Sequence, residues 1–431
     1  MKVCVVGSGA REHALAVALA RTASVVVTPG NPGTSGTAGI ETTAAPALEV
    51  DADLFVVGPE APLVDGLADE LRARGRAVLG PGADGARLEG SKAFMKELAT
   101  AAGVPTAAWA SFERVDAAVA YLRGLPGPYV VKTDGLAAGK GVLVTADFDE
   151  AVADVESKLS GTAFGDAGRR VVIEEALEGV ELSLLALCDG ERLVVLPPAQ
   201  DHKRLTDGDF GPNTGGMGAF SPVPGATDAV VGTVVDEILQ PTLAELRRRG
   251  IDYRGVLYAG LMLGADGPKL VEYNVRFGDP EAQAVLPRCT GDLAELFLAA
   301  AEGRLGDDSP AAEGAAVCVV LAAPGYPAAP VTGGVVDGVD RAGTVEGVTV
   351  YHAGTSRGRD GALRVAGGRV LTVTGVGTDL REARERAYDG VGRVRFDGMQ
   401  FRTDIAAPAR PGGARVRTGA AAARRAGAGA P

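Results

Sequence analysis

Short apolar runs bounded by glycine and polar turns recur along most of this chain, and their spacing predicts strands alternating with helices. "KVCVVG" from Lys2 reads as a buried strand, "REHALAVALA" from Arg11 as an amphipathic helix, and "DLFVVG" from Asp53 as another strand. Such alternation implies a parallel sheet with covering helices. "GSKAFMKELATAAGVP" predicts a helix closed by Gly103 and Pro105. In "GPYVVKTDGLAAGKGVLV" two β runs flank a Gly-rich turn, as in a hairpin, and "FDEAVADVESKL" is a helix with acids in its first turn. "RRVVIEEAL" and "GVELSLLALCDGERLVVLP" read as further strands. A long helix is expected from Asp228 to Arg249, adjusted at Pro241. "GVLYAGLMLGADGPKLVEYNVRFGDPE" is a hairpin running into a charged loop. From Ala315 a third unit shows two strand-like runs and the helix "DLREARERAYDGV". From Pro408 the pattern ends. Apart from Val416 and Thr418 only Pro, Gly, Ala and Arg remain, so a disordered tail is expected.

Composition narrows the function classes. The 431 residues, 46% hydrophobic and 23% charged, allow several soluble domains. A net charge of −12 argues against broad electrostatic binding of nucleic acid, yet a few aimed amides and lysines still suffice for local phosphates. Cys4, Cys188, Cys289 and Cys318 lie far apart in apolar runs, which reads as buried free thiols in a reducing cytoplasm rather than a metal or disulfide framework. Gly7, Gly9, Arg11, Glu12 and His13 interrupt the apolar N-terminus, so a strand–turn–helix explains it better than a signal peptide. The uncharged run Gly314–Val336 contains Pro324, Pro327 and Pro330 and does not read as a membrane helix.

Three stretches carry chemistry. In "VKTDGLAAGKGV" a strand ends in Lys132, and Gly135, Gly139 and Gly141 let the backbone approach an anion beside Lys140. Taken alone, an ordinary tight turn fits equally well. In "VIEEALEGVELS" the acids Glu174, Glu175 and Glu181 suit ribose hydroxyls while the linker offers backbone groups to an adenine edge. A solvated acidic loop is the plainer reading. In "KLVEYNVRFGDPE" Glu272 and Asn274 alternate on a strand and share a face with Arg276. A carboxylate and a carboxamide are hard oxygen ligands for Mg²⁺, and an arginine beside them can neutralise a phosphoryl group in transfer.

A Gly-rich flap with lysines, an acidic hinge and a Glu-x-Asn strand together resemble the ATP-grasp ligases. "VGSGAREHALA", "VGPEAPL", "KTDGLAAGKGV", "GPNTGGMGAFSP" and "RFGDPEAQ" are more closely similar to the phosphoribosylamine–glycine ligase (glycinamide ribonucleotide synthetase) family, in the family's order, up to about Ile405. The resemblance implies a mixed α/β and α+β multidomain fold. A Rossmann-like domain would span 1–90 and an ATP-grasp domain 91–308, with a mobile flap at about 122–182. A small C-terminal α/β domain would span 309–407, before the tail 408–431. The reaction implied is ATP-dependent ligation of glycine to 5-phosphoribosylamine. It yields glycinamide ribonucleotide, ADP and phosphate through a glycyl phosphate, in purine biosynthesis, with Mg²⁺ or Mn²⁺. A cytoplasmic monomer or weak homodimer without nucleic-acid or membrane partners is expected.

By the same resemblance Glu272 and Asn274 hold the metal, and Lys92 and Lys132 reach the nucleotide phosphates. The Gly139–Lys140–Gly141 tip folds over those phosphates. Glu174, Glu175, Ala176 and Leu177 line the adenine edge, Glu181 takes the ribose, and Arg276 stabilises the transferred phosphoryl group. The acceptor candidates are Gly9, Arg11, Glu60 and Asp279, with "VGSGARE" as a phosphate cradle at a helix N-terminus. Within "QDHKRLTDGDFGPNTGGMGAFSP", Asp201, Lys203 and Arg204 are candidates for phosphates or sugar. Gly215, Gly216 and Gly218 are candidates to present N–H groups to the glycyl carboxylate. His13 and His352 read as structural, and His202 as structural or functional in equal measure. A dinucleotide fingerprint fails because Glu12 stands where G-x-G-x-x-G needs its third glycine. A ligase for another carboxylate–amine pair is the alternative. A non-catalytic nucleotide-binding module is disfavoured by the retained Lys132, Glu272, Asn274 and Arg276. Between "PGNPGT" and "DLFVVGPE" the chain is shorter than the family norm, as though one helix were reduced.

Overall fold

The computed structural model describes residues 1–137, 141–161, 168–307 and 309–407. The expected tail and the flap-tip residues Gly139 and Lys140 lie outside them. The opening alternation forms a parallel sheet from β1 (Lys2–Gly7), β2 (Ser24–Pro29), β3 (Ile40–Thr42), β4 (Leu54–Val57) and β5 (Ala77–Leu79), in the order β3-β2-β1-β4-β5. Apart from Lys2, β1 and β4 are apolar and buried residue after residue rather than alternately, as a sheet covered on both faces requires. Strand order reverses between β1 and β4, so the loops after them open a crevice at the carboxyl ends. Arg11 and Glu60 follow those two strands. Only short 3₁₀ turns, at Thr34–Gly36 and Ala47–Glu49, separate β2, β3 and β4.

The helix Ala10–Leu19 departs from the amphipathic expectation, because almost all of it is buried. It packs against β1 and β2, the helix Glu281–Val285 and strand residues 348–352. Its polar residues find partners inside: Glu12 bonds Gly9 and Arg11, and His13 accepts the His352 amide at 3.0 Å. A polar residue bonded internally looks the same in a sequence as one facing water.

A second, antiparallel sheet contains β6 (Trp109–Phe112), β7 (Tyr129–Thr133), β8 (Val142–Thr145) and β9 (Val171–Glu175), ordered β6-β9-β7-β8. The helices Val115–Arg123 and Phe148–Leu159 join it around a small core of Ala118, Leu122, Val131, Ala151, Val155, Val171 and Ile173. That core is separate from the large clusters beneath the other sheets. Asp147 caps the second helix by accepting the Asp149 and Glu150 amides.

The chain continues through β10 (Val180–Asp189), β11 (Leu193–Val195), the short β12 (Gln200–Asp201), a ribbon of β13 (Arg204–Thr206) and β14 (Phe210–Asn213), and β15 (Gly218–Ser221). The long helix follows. The adjustment expected at Pro241 is a π-helical turn, Val235–Leu239, between α-helical Asp228–Val234 and Gln240–Arg248. Widening the turn just before a residue that lacks an N–H accommodates the missing bond. Strands β16 (Arg254–Gly264) and β17 (Gly267–Asn274) complete a sheet ordered β11-β10-β16-β17.

The last part supplies β18 (Ala315–Ala322), β19 (Val348–His352), a ribbon of β20 (Thr355–Arg357) and β21 (Leu363–Val365), and β22 (Arg369–Gly377). Their sheet runs β12-β15-β18-β22-β19, so two of its strands come from the stretch 200–221. The helix Leu380–Arg393 covers it, capped by Asp379. No helix among the described residues is long and apolar enough to cross a membrane.

Candidate active site

A cleft of about 620 Å³ opens where the β6–β9 sheet, the β10–β17 sheet and the loops of the first and third sheets converge, a volume suited to a nucleotide-sized ligand. One side of it is built from strand ends. Lys132, last but one on β7, directs Nζ to Glu174 Oε1 on β9 at 2.8 Å and to the Val271 carbonyl on β17 at 3.2 Å. Lys92 begins the helix Lys92–Ala101, which Ser91 caps. Asp134, in the Gly-rich turn, accepts from Ser91 and from the Ala93 amide, which brings Lys92 Nζ to 3.4 Å from the Gly135 carbonyl. Burial lowers the Lys92 ammonium, while Glu272 opposes the shift. Gly141, Glu174, Glu175, Ala176, Leu177 and Glu181 also line this wall. Glu175 is tied to β6, since its carboxylate accepts the Ala108 amide at 3.1 Å. Burial raises the Glu181 carboxyl to about 7, against the pull of Lys203 Nζ 3.8 Å away.

On β17, Glu272 and Asn274 face the cleft together and are half-buried. Arg276 follows and is held from three sides. Its Nη2 donates to Asn274 Oδ1 at 3.0 Å and also to Glu89, and Nε lies 3.3 Å from Glu60 Oε2. Burial works to lower this guanidinium, but Glu89 and Glu60 hold it above its ordinary value. Burial likewise works to raise Glu60, yet Arg276 and Arg11 keep it below the usual carboxylate range. Glu89 goes up, because burial outweighs Arg276.

The opposite wall is assembled from loops far apart in the chain. Arg11 Nη1 donates to the Phe277 carbonyl at 3.2 Å, and its Nε pairs with Glu12 at 2.6 Å. The other Glu12 oxygen takes the Gly9 amide at 2.6 Å, so the helix start carries the protein's own carboxylate. Asp279 lines the cleft with three groups upon it. Gln283 donates to Oδ1 at 2.7 Å, Arg369 approaches Oδ2 at 3.1 Å, and Arg369 Nη1 bonds the Asp279 carbonyl at 2.6 Å. Burial would raise the Asp279 carboxyl, but Arg369 and Arg11 hold it below its ordinary value. Arg369 Nη1 also donates to the Gly215 carbonyl at 2.7 Å, while the Gly215 amide donates to Tyr326 Oη at 3.0 Å.

Between the walls, Lys203 pairs with Asp201 at 2.7 Å, and burial, which works to lower the lysine, is overcome by Asp201 together with Tyr258, Glu181 and Glu272, which hold it well above its usual value. Beneath them Tyr258 Oη donates to buried Glu281 at 2.5 Å and lies 2.9 Å from Ser183 Oγ. The ribbon bearing Arg204 is clamped from outside. Arg402, almost wholly buried, pairs with Asp209 at 2.6 Å and bonds the Arg204 carbonyl at 3.2 Å.

Against known proteins, three family models cover the chain: phosphoribosylglycinamide synthetase N domain over residues 1–89, its ATP-grasp (A) domain over 90–282 and its C domain over 316–408. The chain belongs to this family. The phosphoribosylamine–glycine ligase of Caulobacter vibrioides is 49% identical over 418 residues, covering 94% of this chain and 97% of that protein. The Streptomyces coelicolor enzyme is 49% identical over 427 residues, covering 95% and 99%. Among solved structures, phosphoribosylamine–glycine ligase from Thermotoga maritima superposes with a TM-score of 0.83 at 35% identity, over 94% of this chain and 100% of that one.

Set beside the resemblance to the phosphoribosylamine–glycine ligase family, the cleft gathers Lys92, Lys132, Gly141, Glu174, Glu175, Ala176, Leu177, Glu181, Asp201, Lys203, Arg204, Gly215, Glu272, Asn274 and Arg276. Arg11, Glu60 and Asp279 join them. Gly9, Gly216 and Gly218 are not on its wall. The Gly9 amide belongs to Glu12, and that of Gly216 to Thr214 Oγ1 at 3.0 Å. Gly216, at φ +111°, is a glycine because a side chain would run into Pro280. Gly218 lies in β15, where a Cβ would come 2.6 Å from the Cys318 carbonyl. Sequence reasoning missed Glu89, Lys96, Glu281, Arg369 and Tyr326. Only Lys96 carried a local signal, standing one helical turn beyond Lys92.

Proposed function

We propose that the ligation carried out by this family, of glycine to 5-phosphoribosylamine at the expense of ATP, runs in this chain through a glycyl phosphate held in the cleft. The observation that carries the reading is the convergence of Lys92, Lys132, Glu272, Asn274 and Arg276 on one cavity, with Asp279 across from them. Lys92 and Lys132 bind the ATP phosphates, residues 174–177 receive the adenine through their backbone groups, and Glu181 the ribose. The β6–β9 sheet, with its own small core, acts as a lid over the nucleotide.

Glu272 and Asn274 fit a divalent cation. Both present hard oxygen donors on one face, and Asn274 Oδ1 keeps a second lone pair beside its bond from Arg276. A Mg²⁺ or Mn²⁺ ion held by these two residues would supply positive charge against the ATP phosphates. Arg276, fixed by Glu60 and Glu89, stabilises the phosphoryl group as it passes to the glycine carboxylate. Asp279, with Arg11 beside it, orients the ribosylamine, whose nitrogen then attacks the glycyl carbonyl and expels phosphate. The buried free cysteines suit a reducing cytoplasm, and the chain works as a monomer or weak homodimer on small molecules alone.

The test is ADP release from protein, ATP, Mg²⁺ and glycine, with phosphoribosylamine generated in the same tube. Release that requires both glycine and the amine supports the reading. Release with another carboxylate–amine pair, and none with this one, would defeat it.

A further inference from the structure

Glu174 carries two lysines. Lys132 Nζ meets Oε1 and Lys96 Nζ meets Oε2, each at 2.8 Å. Lys96 is wholly buried and stands on the helix Lys92–Ala101. Its Nζ donates to Thr106 Oγ1 at 2.7 Å, and Thr106 donates to the Leu270 carbonyl on β17 at 2.7 Å. This places an extra cation behind the cleft, at the seam between the lid sheet and the metal strand. Burying an ammonium is costly, and a glutamate needs only one lysine for neutrality. Burial lowers Lys96 to about 8, against the pull of Glu174, with Lys132 lowering it further and Glu175 opposing. At neutral pH it therefore retains its charge.

We propose that Lys96 is a positioning residue for nucleotide binding: by sharing Glu174, it leaves the Lys132 ammonium with uncancelled positive charge for the triphosphate. Without Lys96, Glu174 and Lys132 form a neutral pair, and the field at the phosphates collapses. The inference rests on the reading of Lys132 as a phosphate ligand. It differs from a packing role in one respect. Removing the Glu174 charge as well restores the net charge on Lys132, whereas a packing defect would only deepen.

Calorimetric titration of ATP in Mg²⁺ into five proteins tests this. Lys96→Met is expected to weaken ATP about tenfold, the scale of one nearby charge at an effective dielectric constant of about 20. Lys96→Gln, which keeps a polar group for Thr106, removes the same charge with less disturbance of the core, and the same loss is expected. Lys96→Arg retains the affinity. The double variant K96M/E174Q recovers most of what Lys96→Met loses. A double variant as weak as Lys96→Met or weaker, or a Lys96→Gln protein that binds ATP normally, overturns the proposal. Lys132→Met is the separate control: normal ATP binding by that variant removes the reading of Lys132 itself.

Discussion

The two walls of the cleft are made differently. The wall proposed for the nucleotide is a set of strand ends and one capped helix, whose side chains are placed by sheet register: Lys132 by β7, Glu174 by β9, Glu272 and Asn274 by β17. The wall proposed for the acceptor is a set of loops braced by Arg11 and Arg369, with Gln283 and Tyr326 as lesser ties. Arg11 reaches a carbonyl 266 residues away, and Arg369 joins carbonyls 154 and 90 residues from it. Register is cooperative, since many backbone bonds fix each side chain, whereas a loop braced by one guanidinium and one other side chain has few points of support. The wall proposed for the nucleotide thus depends on its charged groups, Lys96 behind it included, and the wall proposed for the acceptor on its braces.

Substitutions on each wall sharpen this contrast. Glu272→Ala is expected to lower kcat by on the order of 10³, because charge on the phosphates is left uncompensated in transfer. Steady-state ADP release at saturating Mg²⁺ checks it, and a loss under tenfold would remove Glu272 from the metal site. Arg369→Gln should raise the acceptor KM roughly 10- to 100-fold, the scale for a misplaced binding group, with the ATP KM little changed. An equal rise in both constants would mean that the walls are not independently braced.

The smallest effect concerns stability where the first and third sheets meet. His13 and His352 stand with ring centroids 5.9 Å apart, and burial holds them at about 3 and about 4. Both folded values lie below the ordinary histidine value, so the unfolded chain binds more protons between them and about pH 6.5. The stabilisation from keeping each ring neutral is complete above about pH 6.5 and is lost as pH falls, by about 2 kcal/mol per ring at pH 5. Thermal midpoints between pH 7.5 and 5 should fall less steeply in His352→Gln than in the parent, and parallel slopes would refute the assignment.

The same contrast explains what was legible in the sequence. Lys132, Glu272, Asn274 and Arg276 stand in contiguous apolar runs, where period and neighbours reveal which face they share. Arg369, Tyr326 and Glu89 follow no local pattern, because their roles come from partners that only tertiary structure brings near. Glu12 broke a glycine fingerprint and so weakened a dinucleotide reading. Its carboxylate at the helix start became visible only with Gly9 and Arg11 folded around it. The Gly215 and Gly216 amides, candidates for an oxyanion on sequence grounds, donate here to Tyr326 and Thr214, partners that no local pattern reveals.

Strands β12 and β15 hydrogen-bond into the sheet completed by β18, β22 and β19, although nearly a hundred residues of chain intervene between β15 and β18. The protein is therefore not modular in the way its linear order implies. A fragment ending before Ala315 would leave β15 with a bare hydrogen-bonding edge and the Arg369 brace missing, an invitation to aggregate rather than a free-standing nucleotide binder. Any attempt to transplant this catalytic unit into another enzyme must carry the distal sheet with it.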